Sequence, residues 1–514
     1  MKFSLFLFFS LIFISIISCR KNNTDNGITT SSDSFATISN LKASSSDTIT
    51  KINLTWNNPN SKELYKVEIS YQPINDIGFS MPNPILEDAI AGDSQKLTIS
   101  LPYAGEYIFT AVAIGKSGQR ANPISISFNS NGDSIPLYLK RADTLMSSLV
   151  KLYLEGKPRD IWTSTYPQGG GYWDGAAVVW GQGGAFSGYA ALKETSERYP
   201  NYKSKIASTL DNRLLTSIDK FRTTKGQRES NTVEAYAVYP ENGNERFYDD
   251  NIWIGIDMAD LYELTKDVKY LDHAKLVWNF VRSGTDTVLG GGVYWKENDN
   301  GKMTCSNAPA VVLATKLYQQ TGDGAYLQSA KDIYKWVKTK LQDPTDYLYW
   351  DNMSYGLDGN GNRVVNIGKT KYTYNSGQAI QAAALLYNIT GDNTYLKDAQ
   401  DVASSIFGQW GSYFQSYTLG TGFNTIDPDG HVWFRAILLR GLIELYKIDK
   451  NRKYVDAYEK LLNNAWLSNC RNKETNLLNY DFRGGTTQTS WEILHEGACV
   501  EMLARLGDLR AEGL

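Results

Sequence analysis

The sequence predicts a multidomain, mainly α protein: an (α/α)6 toroid of paired helices, preceded by a small β-sandwich. Two observations carry that expectation. A helix–turn–helix unit recurs four times in the C-terminal part of the chain, and a period-two alternation of apolar and polar residues runs through 36–128. At 514 residues the chain is long enough for more than one domain.

Residues 1–18 read as a lipoprotein signal peptide. Lys2 gives a positive start, Phe3 to Ile17 is almost wholly apolar, and Ser18-Cys19 closes the segment with Ile16 at the −3 position. The apolar run is short for a membrane-spanning helix. The pattern resembles a bacterial lipobox, which implies that Cys19 is lipidated and becomes the mature N-terminus. Residues 19–35 are polar and rich in Ser, Thr and Asn, as expected of a flexible tether. The protein is therefore expected at a bacterial outer membrane, touching the bilayer only through its lipid. Arg20-Lys21 after the cysteine offers no acidic export signal, so periplasmic face and cell surface both stay open.

Residues 36–130 are expected to form the sandwich. Ile52, Leu54 and Trp56 share one face of a strand, as do Val67, Ile69 and Tyr71, and again Leu97, Ile99 and Leu101. The segment Tyr107 to Gly118 reads as a strand and turn. With Trp56, it resembles a fibronectin type III module. No cluster of reactive residues falls here, which points to a spacer or a glycan-facing accessory unit.

The toroid is expected over 136–514. Tyr262, Tyr318, Tyr387 and Tyr446 each open a six-residue stretch that is followed by Tyr270-Leu271, Tyr326-Leu327, Tyr395-Leu396 and Tyr454-Val455. Apolar residues then fall at helical spacing, as in Leu271, Ala274, Trp278 and Val281. The stretch before each first Tyr is helical too, with Ile380, Ala383, Ala384 and Tyr387 on one face. Weaker pairs at both ends bring the total to about twelve helices, a count that closes a ring of six inner and six outer members.

Composition excludes several classes. A net charge of −3 without local bias gives no reason to expect nucleic acid as a partner. Cys305, Cys470 and Cys499 are an odd, scattered set without CxxC spacing, and read as buried structural thiols rather than disulfides or metal ligands. With only His273, His431 and His495, no metal site and no cofactor is expected, and no Ser-His-Asp arrangement suggests itself. Asp358-Gly-Asn-Gly-Asn362 lacks the spacing of an EF-hand and reads as a turn. The 13 Trp and 33 Tyr are what remains unusual, because flat amphipathic rings stack on sugar faces.

Function is expected on one face of the ring. Connections between helix pairs are long, at 222–249, 283–306, 342–374 and 408–429, and alternation puts them all at the same end. They carry Gly170-Gly171-Tyr172-Trp173-Asp174, Gly291-Gly292-Val293-Tyr294-Trp295 and Tyr347-Leu348-Tyr349-Trp350-Asp351. One of them ends in Arg246-Phe247-Tyr248-Asp249-Asp250-Asn251-Ile252-Trp253, where an inner helix begins. A single Asp would serve as a helix cap, but two in succession bring like charges together. Glycoside hydrolysis needs such a pair, one carboxyl ionised and one protonated, and ionising one raises the pKa of its neighbour. Adjacent residues can hold their carboxyls about 5 Å apart, the separation suited to a retaining double displacement.

Residues 140–510 resemble glycoside hydrolase family 76, the bacterial endo-α-1,6-mannanases and their fungal relatives. The resemblance is carried by Tyr248 to Trp253, Tyr172-Trp173-Asp174-Gly175, Cys305-Ser306-Asn307-Ala308-Pro309 and Tyr372-Thr373-Tyr374-Asn375-Ser376-Gly377-Gln378. Ala308 stands where the family pattern would have Gly. The resemblance implies endo-acting, retaining hydrolysis of α-1,6-mannosidic linkages, with Asp249 as nucleophile and Asp250 as general acid/base. It makes Tyr172, Trp173, Tyr248, Trp295, Asn307, Asp351, Tyr374, Asn375 and Gln378 the expected sugar contacts, and a monomer acting on α-mannan the expected form. Two other readings compete: a surface lipoprotein that binds glycan without cutting it, and a retaining transglycosylase that passes the glycosyl group to a sugar acceptor.

Overall fold

The computed structural model describes residues 36–46, 50–74, 81–102, 105–130, 137–169, 175–198, 204–241, 243–407, 414–416, 424–426, 431–482 and 487–511. The expected signal peptide, Cys19 and the tether lie outside the described residues.

Seven strands form the N-terminal sandwich: β1 (Ser39–Ser45), β2 (Lys51–Asn57), β3 (Leu64–Pro73), β4 (Ile85–Asp88), β5 (Ser94–Ser100), β6 (Glu106–Gly115) and β7 (Ile124–Asn129). They pair antiparallel into two sheets, in the orders β1-β2-β5 and β4-β3-β6-β7. The period-two pattern is the cause. Ile52, Leu54 and Trp56 of one sheet and Val67, Ile69, Tyr107 and Phe109 of the other are all buried in a shared core. Trp56 keeps its indole N–H satisfied inside that core by donating to Asn58 Oδ1 at 2.9 Å.

Among the described residues twelve helices follow: α1 (Leu137–Leu149), α2 (Val179–Glu197), α3 (Lys205–Asp219), α4 (Tyr248–Thr265), α5 (Val268–Ser283), α6 (Thr304–Thr321), α7 (Gly324–Leu341), α8 (Thr373–Thr390), α9 (Asn393–Phe407), α10 (Val432–Asp449), α11 (Lys453–Leu467) and α12 (Ile493–Ala511). The even-numbered helices pack side by side in the order α2, α4, α6, α8, α10, α12, and α12 returns to α2. The ring is closed, as the helix count predicts. The inner helices are buried nearly all round, whereas the odd-numbered ones bury one stripe, such as Tyr270, Leu271, Ala274, Val277, Trp278 and Val281 of α5.

The repeated Tyr marks the end of four of the inner helices, α4, α6, α8 and α10. Four residues beyond it the chain turns left-handed, at Lys266, Gly322, Gly391 and Lys450, and the N–H there donates back to the Tyr carbonyl. The Asp that follows in the first three units caps the outer helix. Asp267, Asp323 and Asp392 each accept the N–H two residues on, at 3.2, 2.9 and 2.9 Å. Where inner helices touch most closely, glycines face each other. A Cβ on Gly441 of α10 would collide with the Gly377 carbonyl of α8, and one on Gly497 of α12 with the Gly184 carbonyl of α2. Inside the ring a buried ionic network ties three inner helices together. Arg440 Nε donates to Glu501 Oε1 at 2.5 Å and its guanidinium lies 3.3 Å from Asp257.

The Asp358–Asn362 segment is a turn, as expected. It closes a hairpin of Asn352–Leu357 with Arg363–Gly368, and Asp358 Oδ1 accepts the N–H groups of Asn360 and Asn362.

Candidate active site

All six inner helices begin at the same end of the ring, and the residues that open them follow one scheme. The fourth residue of each helix holds loop backbone. Gln182 exchanges hydrogen bonds with both the N–H and the carbonyl of Trp162, at 3.1 and 2.9 Å. Asn251 does so with Tyr236, at 2.7 and 2.9 Å, and Asn307 with Val293, also at 2.7 and 2.9 Å. Ser376 accepts from Tyr349 N–H, Glu496 accepts from Leu478 N–H, and Arg435 donates to the Tyr480 carbonyl. The second and third residues of the six helices are Trp180 and Gly181, Asp249 and Asp250, Cys305 and Ser306, Tyr374 and Asn375, Trp433 and Phe434, Leu494 and His495. Most of these side chains meet at the mouth of the ring, whereas Leu494 packs into the core against Gly184.

Asp249 and Asp250 lie in the first turn of α4, both half-buried. Their environments differ sharply. Asp249 Oδ1 accepts the backbone N–H of Asp250 at 3.0 Å. Its Oδ2 accepts Trp295 Nε1–H at 3.1 Å and the Cys305 thiol at 3.3 Å. The Asp250 carboxyl accepts no hydrogen bond from any neighbour among the described residues, and it stands beside Asp249 and near Glu245. Burial pushes the Asp249 carboxyl up to about 6, while the donors from Cys305, Asp250 N–H and Trp295 pull it back down. Burial, then the charges of Asp249 and Glu245, push Asp250 well above the ordinary carboxylate range. One carboxyl of the pair is thus built to be the anion and the other to keep its proton.

Around the pair runs an aromatic wall. Tyr374 stacks on Phe434 with ring centres 4.0 Å apart, Phe434 on His431 at 4.3 Å, and His431 on Trp180 at 5.4 Å. Trp433 meets Trp253 and Trp180 edge-on, at 5.0 and 5.5 Å, beneath them. His431 and His495 share one hydrogen bond between their Nε2 atoms, at 3.3 Å. Burial holds both imidazoles neutral, with His431 pushed down to about 4.

Of the expected sugar contacts, Tyr172 and Trp173 lie outside the described residues. Trp295 reaches the site, but its indole N–H is spent on Asp249. Asp351 is half-exposed and is held by Asn375 and Asn352 at 3.2 and 3.0 Å. Tyr374 hydrogen-bonds the Cys305 thiol. Asn375 and Gln378 are buried, and among the described residues Asn375 Oδ1, Gln378 Oε1 and Ser306 Oγ have no partner. Two expectations need correcting. Tyr248 is 1% exposed and stacks on Phe280 at 4.4 Å, so it is core. Asn307 is fully buried, with both ends of its amide committed to Val293 and Met303.

The loop aromatics are also more structural than expected. Gly291 and Gly292 lie against the Trp336 ring, Tyr294 donates to Asp286, Tyr349 is core, and Trp350 donates to Asp343. Sequence reasoning missed Trp180, Trp433, Phe434, His431 and His495. It also took Cys305 for inert filling, whereas the thiol touches Asp249. A signal for four of the helix openings was present. Tyr262, Tyr318, Tyr387 and Tyr446 each lie fourteen residues beyond the first residue of their helix, at 248, 304, 373 and 432. Aligning the units on that Tyr brings Asp249, Cys305, Tyr374 and Trp433 into one column.

A closed double ring of helices whose mouth holds two adjacent carboxyls walled by aromatic rings is an arrangement suited to a glycoside hydrolase. The chain belongs to glycosyl hydrolase family 76, whose family model matches residues 138–506. It is similar to a solved family 76 glycoside hydrolase from a bovine Bacteroides thetaiotaomicron strain, at 33% identity and TM-score 0.69 over 93% of this chain and 100% of that one. A second solved family 76 mannosidase from Bacteroides thetaiotaomicron is 40% identical, with TM-score 0.67 over 74% of this chain and all of the other. An inactive variant of the α-1,6-mannanase of a Salegentibacter species, with two successive aspartates changed to asparagine and α-1,6-mannotriose bound, is 25% identical. Its TM-score is 0.57, over 72% of this chain and 99% of that one. The mannan endo-1,6-α-mannosidase of Saccharomyces cerevisiae is 29% identical over 140 residues, 26% of this chain and 30% of the relative. The match thus spans under a third of that curated relative's length.

Proposed function

We propose that this protein is an endo-acting, retaining α-1,6-mannanase in which Asp249 and Asp250 carry the chemistry. The observation that supports this most is the asymmetry of the pair: among the described residues three donors converge on Asp249, and none is aimed at the Asp250 carboxyl. Asp249, as the anion, attacks the anomeric carbon of a mannosyl unit. Asp250 gives its proton to the departing glycosidic oxygen, and the two together leave a covalent glycosyl–enzyme ester. Asp250, now the base, takes a proton from a water that attacks the same carbon and frees Asp249. The proton that Asp250 gives up in the first step is regained from water in the second, so the full cycle begins and ends with one proton on the pair. The two successive aspartates of the inactive Salegentibacter variant, and the α-1,6-mannotriose bound to it, support the same roles and linkage here.

The same reading makes Asp351, Asn375 and Gln378 sugar contacts, the first half-exposed and the other two carrying unpaired oxygens beside the site. The sandwich's strand order supports the fibronectin type III resemblance and a spacer role between a lipid on Cys19 and the ring. A monomer tethered at the outer membrane fits this arrangement.

The test is release of oligosaccharides from unbranched α-1,6-mannan by the full chain, beside Asp249→Asn and Asp250→Asn. Internal cleavage by the parent and none by either variant is expected, with the first product keeping the α configuration by NMR. Binding without cleavage by all three would mean a glycan-capture protein. Transfer to a sugar acceptor in place of water would mean a transglycosylase. For the anchor, Cys19→Ser is expected to move the protein from the membrane to the soluble fraction.

A further inference from the structure

We propose that Cys305 is a positioning residue for the reaction: its thiol, steadied by the Tyr374 hydroxyl, orients the Asp249 carboxylate while holding it only weakly. The proposal rests on the reading of Asp249 as nucleophile.

Cys305 is the second residue of α6, and Asp249 is the second residue of the neighbouring α4. Ring closure brings these equivalent positions together. The sulfur lies 3.3 Å from Asp249 Oδ2, the oxygen that also accepts Trp295 Nε1–H at 3.1 Å. The backbone N–H of Asp250 takes Oδ1 at 3.0 Å. The carboxylate is therefore fixed at both oxygens. On its other side the sulfur meets the Tyr374 hydroxyl, which completes a relay: Tyr374 O–H donates to sulfur, and S–H donates to Asp249.

Toward Asp249 the thiol acts only as a donor. It is 4% exposed, and burial with the nearby charges of Asp249 and Asp351 keeps it protonated. Neither a thiolate nucleophile nor a base is available at this position, and no bond to sulfur forms or breaks. The other two buried cysteines differ. Cys470 donates to the Asn479 carbonyl at 3.4 Å, and Cys499 is buried in the core of α12. Only Cys305 faces the reacting pair.

A thiol suits this place because S–H is a weak donor. Asp249 has to be held still, yet it has to give an electron pair to the anomeric carbon. A strong hydroxyl donor stabilises the resting anion and blunts that attack. With no donor, the carboxylate loses one of its three restraints and ionises less readily.

The test compares the pH profile of kcat/KM on α-1,6-mannan for the full chain, Cys305→Ala and Cys305→Ser. The acidic limb, which reports ionisation of Asp249 in the free enzyme, is expected to move up in Cys305→Ala and down in Cys305→Ser, by about half to one pH unit. Both variants lose kcat with KM little changed. Limbs that stay in place, or move in the same direction, overturn the proposal and leave Cys305 as packing. A second measurement needs no turnover. The infrared S–H band in the parent-minus-Cys305→Ser difference spectrum is expected to shift as Asp249 ionises near pH 6. It is expected to stop shifting in Asp249→Asn. A band indifferent to pH overturns the proposal even if mannan is cleaved. A titrating band with no mannan cleavage leaves the contact standing and removes the proposed substrate instead.

Discussion

Arg246 and Glu297 form a salt bridge at 2.7 Å in which neither side chain is exposed to solvent. Arg246 Nε reaches the second Glu297 oxygen at 3.0 Å, so the pair is bidentate. The remaining guanidinium N–H groups donate to the carbonyls of Thr223, Val233 and Asn231, and Glu297 also accepts from Asn231 Nδ2 and Gln227 N–H. The bridge therefore clasps two loops, one leading into Asp249 and the other carrying Trp295. Both partners of the Trp295–Asp249 hydrogen bond are placed by it.

Removing one side of this pair strands the other charge in the interior. Glu297→Ala is expected to cost about 3–5 kcal/mol of stability, measured by urea denaturation. Replacing both residues with well-packed apolar ones should cost less than either single change. A single-variant loss below about 1 kcal/mol would mean that water enters the clasp.

The helix pairs and the sandwich were legible because each rests on local periodicity. Tyr318 to Val337 states a turn and an amphipathic helix within one short stretch, and Ile52, Leu54 and Trp56 state a buried strand face. The place of Asp249 and Asp250 at the start of an inner helix was legible because a long loop ends there and a buried apolar stripe begins. The surroundings were harder to read. Asn307 and Tyr248 belong to motifs beside reactive residues, yet a helix turns about 100° per residue. Residues one or two apart can therefore face differently: Tyr248 and Asn307 turn to the core, while Asp249 turns to the mouth. Cys305, Tyr374 and Trp433 come from separate repeats, and their meeting depends on ring closure, which no single stretch of sequence expresses.

Asp250→Asn is expected to stabilise the fold while abolishing turnover. The folded-state pKa of Asp250 lies above its ordinary value, so the ionised form is what folding disfavours. The gain is then present at pH above the folded pKa and vanishes as pH falls toward about 4. A rise in Tm worth roughly 1 kcal/mol at the alkaline end, fading on acidification, is the expected result. An unchanged or lowered Tm at every pH would contradict it.

The pH dependence of kcat/KM should be bell-shaped. Its acidic limb follows ionisation of the nucleophile, with Asp249 at about 6, so activity falls as pH drops through that value. The alkaline limb follows loss of the Asp250 proton. A profile flat from about pH 4 to pH 7 would remove Asp249 from the nucleophile's role.

Asn307→Ala should act on folding more than on binding. It leaves the N–H and carbonyl of Val293 unpaired in the interior, at a cost of about 2–3 kcal/mol. Chemical denaturation and steady-state kinetics on the same sample separate the effects. A large rise in KM with stability intact would restore Asn307 as a sugar contact.

The fourth residue of every inner helix is fastened to a loop, and this frees several of the second and third, such as Asp249, Asp250 and Phe434, to face the opening. The ring is in effect a fixed frame with exchangeable fittings around its opening. Two of them hold acids here, and several others hold aromatic rings. Swapping a fitting alters what the opening grips or cleaves, while the fastening one residue further along keeps the frame intact. Redesign of this protein for another glycan would begin at those positions, well before any helix was rebuilt.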